Sequence, residues 1–535
     1  MENNMLIIDY LKNNAKKYAK EEAIVFLQKK YIDPNDKNKN KYSRSSLTWQ
    51  EFYGMSNRIS NLLFEAGIKK GDKIAIILEN CLEWLPIYFG ILSVGAIAVP
   101  VNYNNGYEEI CHCLKLADCN AVFLRYGKNT DEIYNKFNDR LKYYFIDEYV
   151  PSYGQSVEKI LLAHSFAHHA VAISIEDDAA IYFSSGTTGK SKAILLSHSS
   201  ISSSGKISLA HHFQTHIDRF LCLTPLYHTG SKMHWFGSLI VGGSIIIFNS
   251  SSPNNIVEVI SKEKITIVFL LVPFIQDILD SIDVGDINLN IYPLDCLRLM
   301  HTGAQPIPSE LISRWHNHFP QVQYDTDYGL TEATGPGCVF LGINNFEKLE
   351  STGKPDENWD VKIVDENGDT MKNGLVGELI LKGPGIMRGY YNDIVATCQT
   401  LKNDWLYTGD LAYASDDGYI YIVGRKKDLI ISGGENIYPI QIEDYIRKFD
   451  AVKDVAVIGI PNKRMGEVVG AIVELKSGSI CSKSDIFNYC TGLPAYQRPC
   501  KIVFAPILRN PTGKVDKVKL YNLYLKSKLQ TEANL

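Results

Sequence analysis

One run limits the fold more than any other: Tyr182-Phe183-Ser184-Ser185-Gly186-Thr187-Thr188-Gly189-Lys190-Ser191-Lys192. Apolar stretches flank it, Ala179-Ala180-Ile181 before and Ala193-Ile194-Leu195-Leu196 after. Each reads as a strand, so the polar run is a loop between two strands. Its glycines permit a tight turn and a close approach of backbone to a ligand. Its hydroxyls and N–H groups can donate to phosphate oxygens, and its lysines supply countercharge. By composition alone it equally suits a solvated Ser/Thr/Gly hairpin turn. A Walker A loop is excluded by spacing. That motif has four residues between its first glycine and Gly-Lys-Ser/Thr, and counting back from Gly189-Lys190-Ser191 reaches Ser184.

Around this loop the chain alternates between helical and strand patterns, which predicts parallel sheet layers. Residues 5–30 read as a helix and a strand, and the Lys/Asn-rich run Asp33 to Ser46 as an exposed loop between strands. Thr48-Trp49-Gln50-Glu51 has capping-box spacing and starts a helix to about Ala66. A turn at Gly71-Asp72-Lys73, a strand at Ile74–Leu78, a helix from about Cys81 to Val94 and a strand near Ala96–Val99 follow. From Gly353 the texture changes to short strands with turn signals such as Asp365-Glu366-Asn367-Gly368 and Asp416-Asp417-Gly418, which predicts a small antiparallel β unit. After Gly424-Arg425-Lys426-Lys427-Asp428 comes a compact α+β stretch, with a helix near 441–448 and strands near 455–460 and 471–475. We place the domain boundary at that charged tetrad: 1–424, a hinge at 425–428, and 429–535.

The net charge of −5 gives no support for a nucleic-acid-binding surface. An odd count of eleven cysteines cannot be fully paired within one chain, which points to reduced thiols in a cytoplasmic setting. The first residues lack the basic segment and long apolar run of a signal peptide. The longest apolar run, Phe236 to Phe248, is shorter than the roughly 20 residues that span a bilayer and reads as a helix end and a strand. Cys111-His112-Cys113 with Cys119 is tighter than usual zinc-ligand spacing and reads as a helix with buried thiols. His164, His168 and His169 read as a surface cluster.

Further motifs stand in a fixed order behind the loop. They are Pro225-Leu226-Tyr227-His228-Thr229-Gly230, Thr302-Gly303-Ala304-Gln305-Pro306, Asp327-Tyr328-Gly329-Leu330-Thr331-Glu332, and Trp405-Leu406-Tyr407-Thr408-Gly409-Asp410. Arg425, Ser432-Gly433-Gly434-Glu435-Asn436 and Asn510-Pro511-Thr512-Gly513-Lys514 complete them. In this order, from roughly residue 45 to 520, the chain resembles the adenylate-forming superfamily: acyl-CoA synthetases, peptide-synthetase adenylation domains and luciferases. It departs within the loop, where the family usually has Pro at Ser191 and Gly at Ala193.

The resemblance implies an α/β fold. A large N-terminal domain of stacked αβ layers with a β-barrel-like subdomain carries a small mobile α+β C-terminal domain. It implies that a carboxylic acid attacks the α-phosphate of ATP to give acyl-AMP, and that a thiol, CoA, then displaces AMP. Phosphates fall to Ser184, Ser185, Gly186, Thr187, Thr188, Gly189 and Lys192, with Thr331 as a further contact. Gly303, Ala304, Gln305, Asp327, Tyr328 and Gly329 border the adenine, with Tyr328 stacked on it. Asp410 and Arg425 take the ribose, Glu332 holds Mg²⁺, Lys514 bridges carboxylate and α-phosphate, and Lys427 is the hinge. Ser432, Gly433 and Gly434 meet CoA. The acyl pocket takes Tyr227, His228, Lys232, Trp235 and Gly303, with His228 as wall or gate. For Lys232 an anionic acyl tail and a route to solvent are both open, and the aliphatic stem favours solvent. A carrier-protein phosphopantetheine as thiol acceptor, a non-catalytic ligand-binding relative and a homodimer stay open as alternatives. Short-to-medium acyl, aryl and carnitine-like acids all remain candidate substrates.

Overall fold

The computed structural model describes residues 5–29, 42–127, 129–165, 171–185, 191–230, 232–303, 307–341, 346–509 and 514–526. The loop residues Gly186, Thr187, Thr188, Gly189 and Lys190 fall outside these, as do Ala304, Gln305, Pro306, His168 and His169. The chain forms two compact units: residues 1–349, 353–360 and 381–406, and residues 350–352, 361–380 and 407–535.

The first unit holds two large sheets. In the nine-stranded sheet, Gln323–Leu330, Leu299–Thr302, Ile267–Phe269, Arg219–Cys222, Ser244–Phe248 and Glu22–Lys29 run side by side in parallel. Their near-continuous apolar runs, such as Ile245-Ile246-Ile247-Phe248, suit strands covered on both faces, and all four of those residues are buried. In the eight-stranded sheet, Lys73–Ile77, Ile97–Pro100, Ala121–Leu124 and Asp178–Ser185 are parallel. Asp178–Ser185 then pairs antiparallel with Ser191–Ser197. The glycine-rich loop therefore joins two strands, as its flanks predict, and opens no helix.

Helix Trp84–Ser93 is buried along its whole length. A helix that is apolar all round belongs inside a protein. It meets helix Lys232–Val241 through aromatic rings: Trp84 lies edge-on to Trp235 at 6.4 Å and Tyr88 edge-on to Trp235 at 5.8 Å. Helix Trp49–Glu65 packs on its other flank and begins with the expected capping box between Thr48 and Glu51. The cysteines Cys111 and Cys113 lie on helix Tyr107–Leu116 within the core, and all eleven cysteines are free thiols.

Part of the expected exposed loop at 33–46 is a strand instead. Tyr42–Thr48 pairs antiparallel with Glu22–Lys29. Its polar side chains hide this from an apolar pattern, because an edge strand can be held by backbone pairing and by Arg44, which grips Glu22 and Glu263. No helix among the described residues is long and apolar enough to cross a membrane.

In the second unit, strands Asp360–Val364, Gly377–Lys382 and Trp405–Ala414 are hydrogen-bonded in that order, and Ile420–Arg425 pairs antiparallel with Trp405–Ala414. A second sheet pairs Val452–Asn462 with Gly466–Leu475, and Lys501–Phe504 lies parallel to the latter. Helix Pro439–Arg447 covers it through Ile442 and Ile446.

The contact between helices Trp49–Glu65 and Trp84–Ser93 yields a test. A Cβ on Gly90 would lie 2.6 Å from Cβ and Cγ2 of Ile59 and 2.9 Å from the Ser56 carbonyl oxygen. Gly90→Ala gains roughly 1 kcal/mol of helix propensity. Overpacking costs about 1–3 kcal/mol, and here the backbone itself is in the way. The variant is expected to unfold at a lower temperature than the wild type. A raised midpoint in thermal unfolding would show that the two helices can move apart.

Candidate active site

Parallel strands deliver their carboxyl ends to one edge, and ligands of open α/β sheets bind there. Three predicted motifs follow such ends: Pro225–Gly230 after Arg219–Cys222, Gly303 after Leu299–Thr302, and Asp327–Tyr328 late in Gln323–Leu330. The last strand runs into a 3-10 turn, Thr331–Ala333, and returns as Gly335–Leu341. Thr331 and Glu332 sit at this hairpin tip. Thr334 adopts φ +64° there, and its hydroxyl donates to the Gly385 carbonyl at 2.6 Å. The Met387 N–H donates to the Glu332 carbonyl at 2.8 Å.

The tip meets the start of the glycine-rich loop. Ser184 Oγ donates to Glu332 Oε1 at 3.3 Å, across 148 residues of sequence. Tyr390 donates its phenol to the same oxygen at 3.1 Å. The ring of Tyr390 also lies 4.4 Å under the Lys192 ammonium. Burial first, and the nearby Glu332 charge second, push the Tyr390 phenol well above its usual range. Thr229 Oγ1 is 3.4 Å from Thr331 Oγ1. The structure thus brings Ser184, Lys192, Thr229, Thr331 and Glu332 together. Tyr390 has no motif around it, and sequence reading passes it over; its only trace is a Gly389-Tyr390-Tyr391 run next to a turn.

The Gly230 N–H donates to His228 Nδ1 at 3.0 Å. With Nδ1 accepting, the neutral imidazole carries its hydrogen on Nε2. Tyr227 is buried and meets Tyr103 edge-on at 6.0 Å. Gly303 is buried, and a Cβ there would lie 2.5 Å from Asp327 Oδ1, so the position accepts no larger residue without moving Asp327. Behind Asp327 lies a chain of buried histidines that no motif announces. His301 Nε2 lies 3.4 Å from Asp327 Oδ1, and His301 Nδ1 is 2.8 Å from His234 Nε2. His212 Nε2 bonds Asp325 on the same strand. Burial opposes protonation of His301, but the charge and hydrogen bond of Asp327 carry its pKa above the usual value. Burial keeps His212 and His234 below theirs.

The second unit holds its own predicted groups. Asp410 and Arg425 face each other in the antiparallel register, and Arg425 Nε donates to Asp410 Oδ1 at 2.8 Å. Glu378 accepts from the Gly409 N–H at 3.1 Å and from Lys426 at 3.1 Å, a support that sequence reading misses. Lys427 is exposed in a 3-10 turn, Lys426–Asp428. Ser432 closes a short strand, and Gly433 and Gly434 turn the chain at φ +60° and +90°. A two-residue turn with both φ values positive favours glycine. Lys514 is exposed.

Two groups of the acyl-pocket set are deeply placed. Trp235 lies wholly inside the aromatic cluster of the two central helices. Lys232 does not reach solvent, against the expectation drawn from its stem: it is 0% exposed. It starts a helix whose first turns are buried by the aromatic core, so the side chain has no outward path. Its ammonium sits 4.6 Å over the Tyr182 ring and has no hydrogen-bond partner among the described residues. Burial holds its pKa down to about 7.

That burial gives a signed expectation. Between about pH 7 and the ordinary lysine range near 10.4 the unfolded chain binds more protons than the folded one, so stability rises with pH. Lys232→Met removes this dependence. The variant is expected to melt above the wild type at pH 7, with the gap narrowing at pH 9. A constant gap would mean that the ammonium is already compensated.

The comparisons with known proteins agree with this geometry. A profile described as AMP-binding enzyme matches residues 11–391, and one described as AMP-binding enzyme C-terminal domain matches 441–514. Acyl-CoA ligase sidI of Aspergillus fumigatus is 31% identical over 468 residues, 82% of this chain and 78% of that protein. Long-chain-fatty-acid–CoA ligase FadD13 of Mycobacterium tuberculosis is 29% identical over 486 residues, 89% and 93% of the two chains. Feruloyl-CoA synthase of Amycolatopsis is 29% identical over 482 residues, 89% and 93%. Among solved structures, ATP-bound MatB of Rhodopseudomonas palustris superposes with TM-score 0.85 at 24% identity, covering 98% of this chain and 100% of that one. Anthranilate CoA ligase AuaEII with anthranoyl-AMP superposes with TM-score 0.84 at 23% identity, covering 100% and 99%. These two likenesses establish the shared fold. The chain belongs to the AMP-binding enzymes, the adenylate-forming superfamily, and within it to the acyl-CoA synthetase family.

Proposed function

We propose that this chain activates a carboxylic acid with ATP as acyl-AMP and transfers the acyl group to CoA, with each role carried by the residues named above. The observation that carries the reading is the meeting of Ser184 with Glu332 beside Thr331 and Lys192. It sets hydroxyls, a carboxylate and an ammonium around one point, the set that a triphosphate with its cation requires. Glu332, Thr331 and Ser184 offer only hard oxygen atoms, which fit Mg²⁺. Glu332 would hold that ion, which offsets phosphate charge when bound. The relatives are named as CoA ligases and a CoA synthase, which favours CoA over a carrier protein as acceptor.

The chain's own work is positioning and charge stabilisation, with no protein nucleophile. Ser184, Thr331 and Lys192 donate to phosphate oxygens. The flat ring of Tyr328 covers the purine, beside Gly303 and Asp327. Asp410, set by Arg425, accepts from the ribose hydroxyls. His228 borders the acyl group with its Nε2–H directed by the Gly230 bond. Lys514 balances the charge that grows between carboxylate and α-phosphate. Ser432, Gly433 and Gly434 guide the thiol. Lys514 and this turn both follow the charged run 425–428 in the chain but serve different half-reactions. A change of pose at the hinge 425–428, centred on Lys427, reconciles the two.

Pyrophosphate release from a panel of acids, with and without CoA, tests the reaction. Release without CoA and thioester only with it is expected; thioester on a phosphopantetheinylated carrier alone would replace CoA as acceptor. Glu332→Gln is expected to lower acyl-AMP formation about a hundredfold or more with the fold intact. Near wild-type pyrophosphate exchange in that variant would remove the metal assignment.

The half-reactions separate in two further variants. Lys514→Ala is expected to lower acyl-AMP formation by about a hundredfold or more and to spare thioester formation from supplied acyl-AMP. Lys427→Pro, which fixes φ and removes an N–H, is expected to do the reverse. Equal loss of both halves in Lys514→Ala, or no selective loss in Lys427→Pro, would count against the change of pose.

A further inference from the structure

Lys232 is the buried charge that the reaction above leaves without a task. Its side chain is fully enclosed, and among the described residues its ammonium has no hydrogen-bond or ion-pair partner. An ammonium has three donors and no acceptor. Leaving it unpaired inside a protein is costly, and a cation over an aromatic face recovers only part of that cost. The faces present are Tyr182 at 4.6 Å and Phe236 at 6.0 Å. The Tyr182 hydroxyl is turned to Tyr88 at 3.3 Å instead. A methionine or leucine would fill the same helix position without burying a charge, so the amine points to a partner that arrives with a ligand.

The place of Lys232 says which ligand. Tyr182 lies two residues before Ser184 on one strand. Lys232 lies three residues after Thr229, whose hydroxyl is 3.4 Å from Thr331. Both elements around the ammonium therefore lead directly to the phosphate-side residues. A group that meets Lys232 is therefore read as part of a molecule held in that site. One buried ammonium is matched by one negative charge; a phosphate dianion would leave a net charge in the aromatic core. We propose that Lys232 is the counterion for a second carboxylate on the acid, so that this enzyme activates dicarboxylic acids at the carboxylate remote from Lys232. The inference rests on the acyl-CoA synthetase reading of the site. The depressed pKa of Lys232, about 7, fits it: the site is weakly charged alone and takes its proton fully when the anion binds.

The experiment compares straight-chain α,ω-diacids with monoacids of matching length, by pyrophosphate release, in wild type and Lys232→Met. At the best length the wild type is expected to favour the diacid in kcat/KM by about ten- to a hundredfold, the range of a charged hydrogen bond. Lys232→Met is expected to lose that preference, its diacid rate falling by more than its monoacid rate. The thermal midpoint of the variant reports its folding, and the wild-type preference needs no variant at all. A wild type that turns over monoacids but no diacid overturns this inference and leaves the reaction standing. An equal loss on both acid classes in Lys232→Met also overturns it, since Lys232 would then serve the reacting end. A wild type that releases pyrophosphate with no acid overturns the reaction itself.

Discussion

The parallel pairing of the nine-stranded sheet is the constraint on which the site depends. Thr302 is in register with Thr326, and Phe269 with His301. Because the strands run the same way, the segments that follow Cys222, Thr302 and Thr326 all emerge at one edge. Parallel strands need covered faces, and the helices between them, such as Pro253–Lys262 and Ser309–His318, supply that cover with their buried residues. A slip of one residue would reverse every side chain on a strand. Asp325 would then leave His212, and Asp327 would leave His301.

The hairpin around the glycine-rich loop adds the second half. Strands Asp178–Ser185 and Ser191–Ser197 bring Ser184 and Lys192 into register as a facing pair. The tip at Thr331–Ala333 reaches them from the other sheet. Glu332 is held there from three directions: Ser184, Tyr390 and the Met387 N–H on its own carbonyl. Groups that must meet a highly charged ligand gain from being fixed beforehand, since no reorganisation is then required during reaction. Tyr390 and Thr334 contribute only to that fixation in the geometry seen here.

Buried polarity is unevenly distributed around the site. The histidines 212, 234 and 301 and the carboxylates 325 and 327 compensate one another along a single strand and its neighbours. Lys232 takes no part in these contacts, and its ammonium lies over the rings of Tyr182 and Phe236. Paired groups of this kind hold one another in place. A lone buried charge costs stability in the free protein and is paired only when a ligand of opposite sign arrives.

The sequence by itself determined the family and most of the element order. Motifs such as Asp327–Glu332 depend on a local chain shape, strand into turn, that short-range chemistry sets. The capping box at Thr48 and the paired glycines 433 and 434 are local in the same sense. The tertiary structure alone decided which distant groups meet: Tyr390 with Glu332, Glu378 with Gly409, His301 with Asp327. It also decided the fate of Lys232 and of the strand Tyr42–Thr48. The stem of a lysine reads as amphipathic wherever it stands, and only the packing of helices Trp84–Ser93 and Lys232–Val241 closes its way to water. A polar edge strand is held by backbone hydrogen bonds, which carry no side-chain signature. Contacts of that kind arise from long-range packing, and no local pattern of residues encodes them.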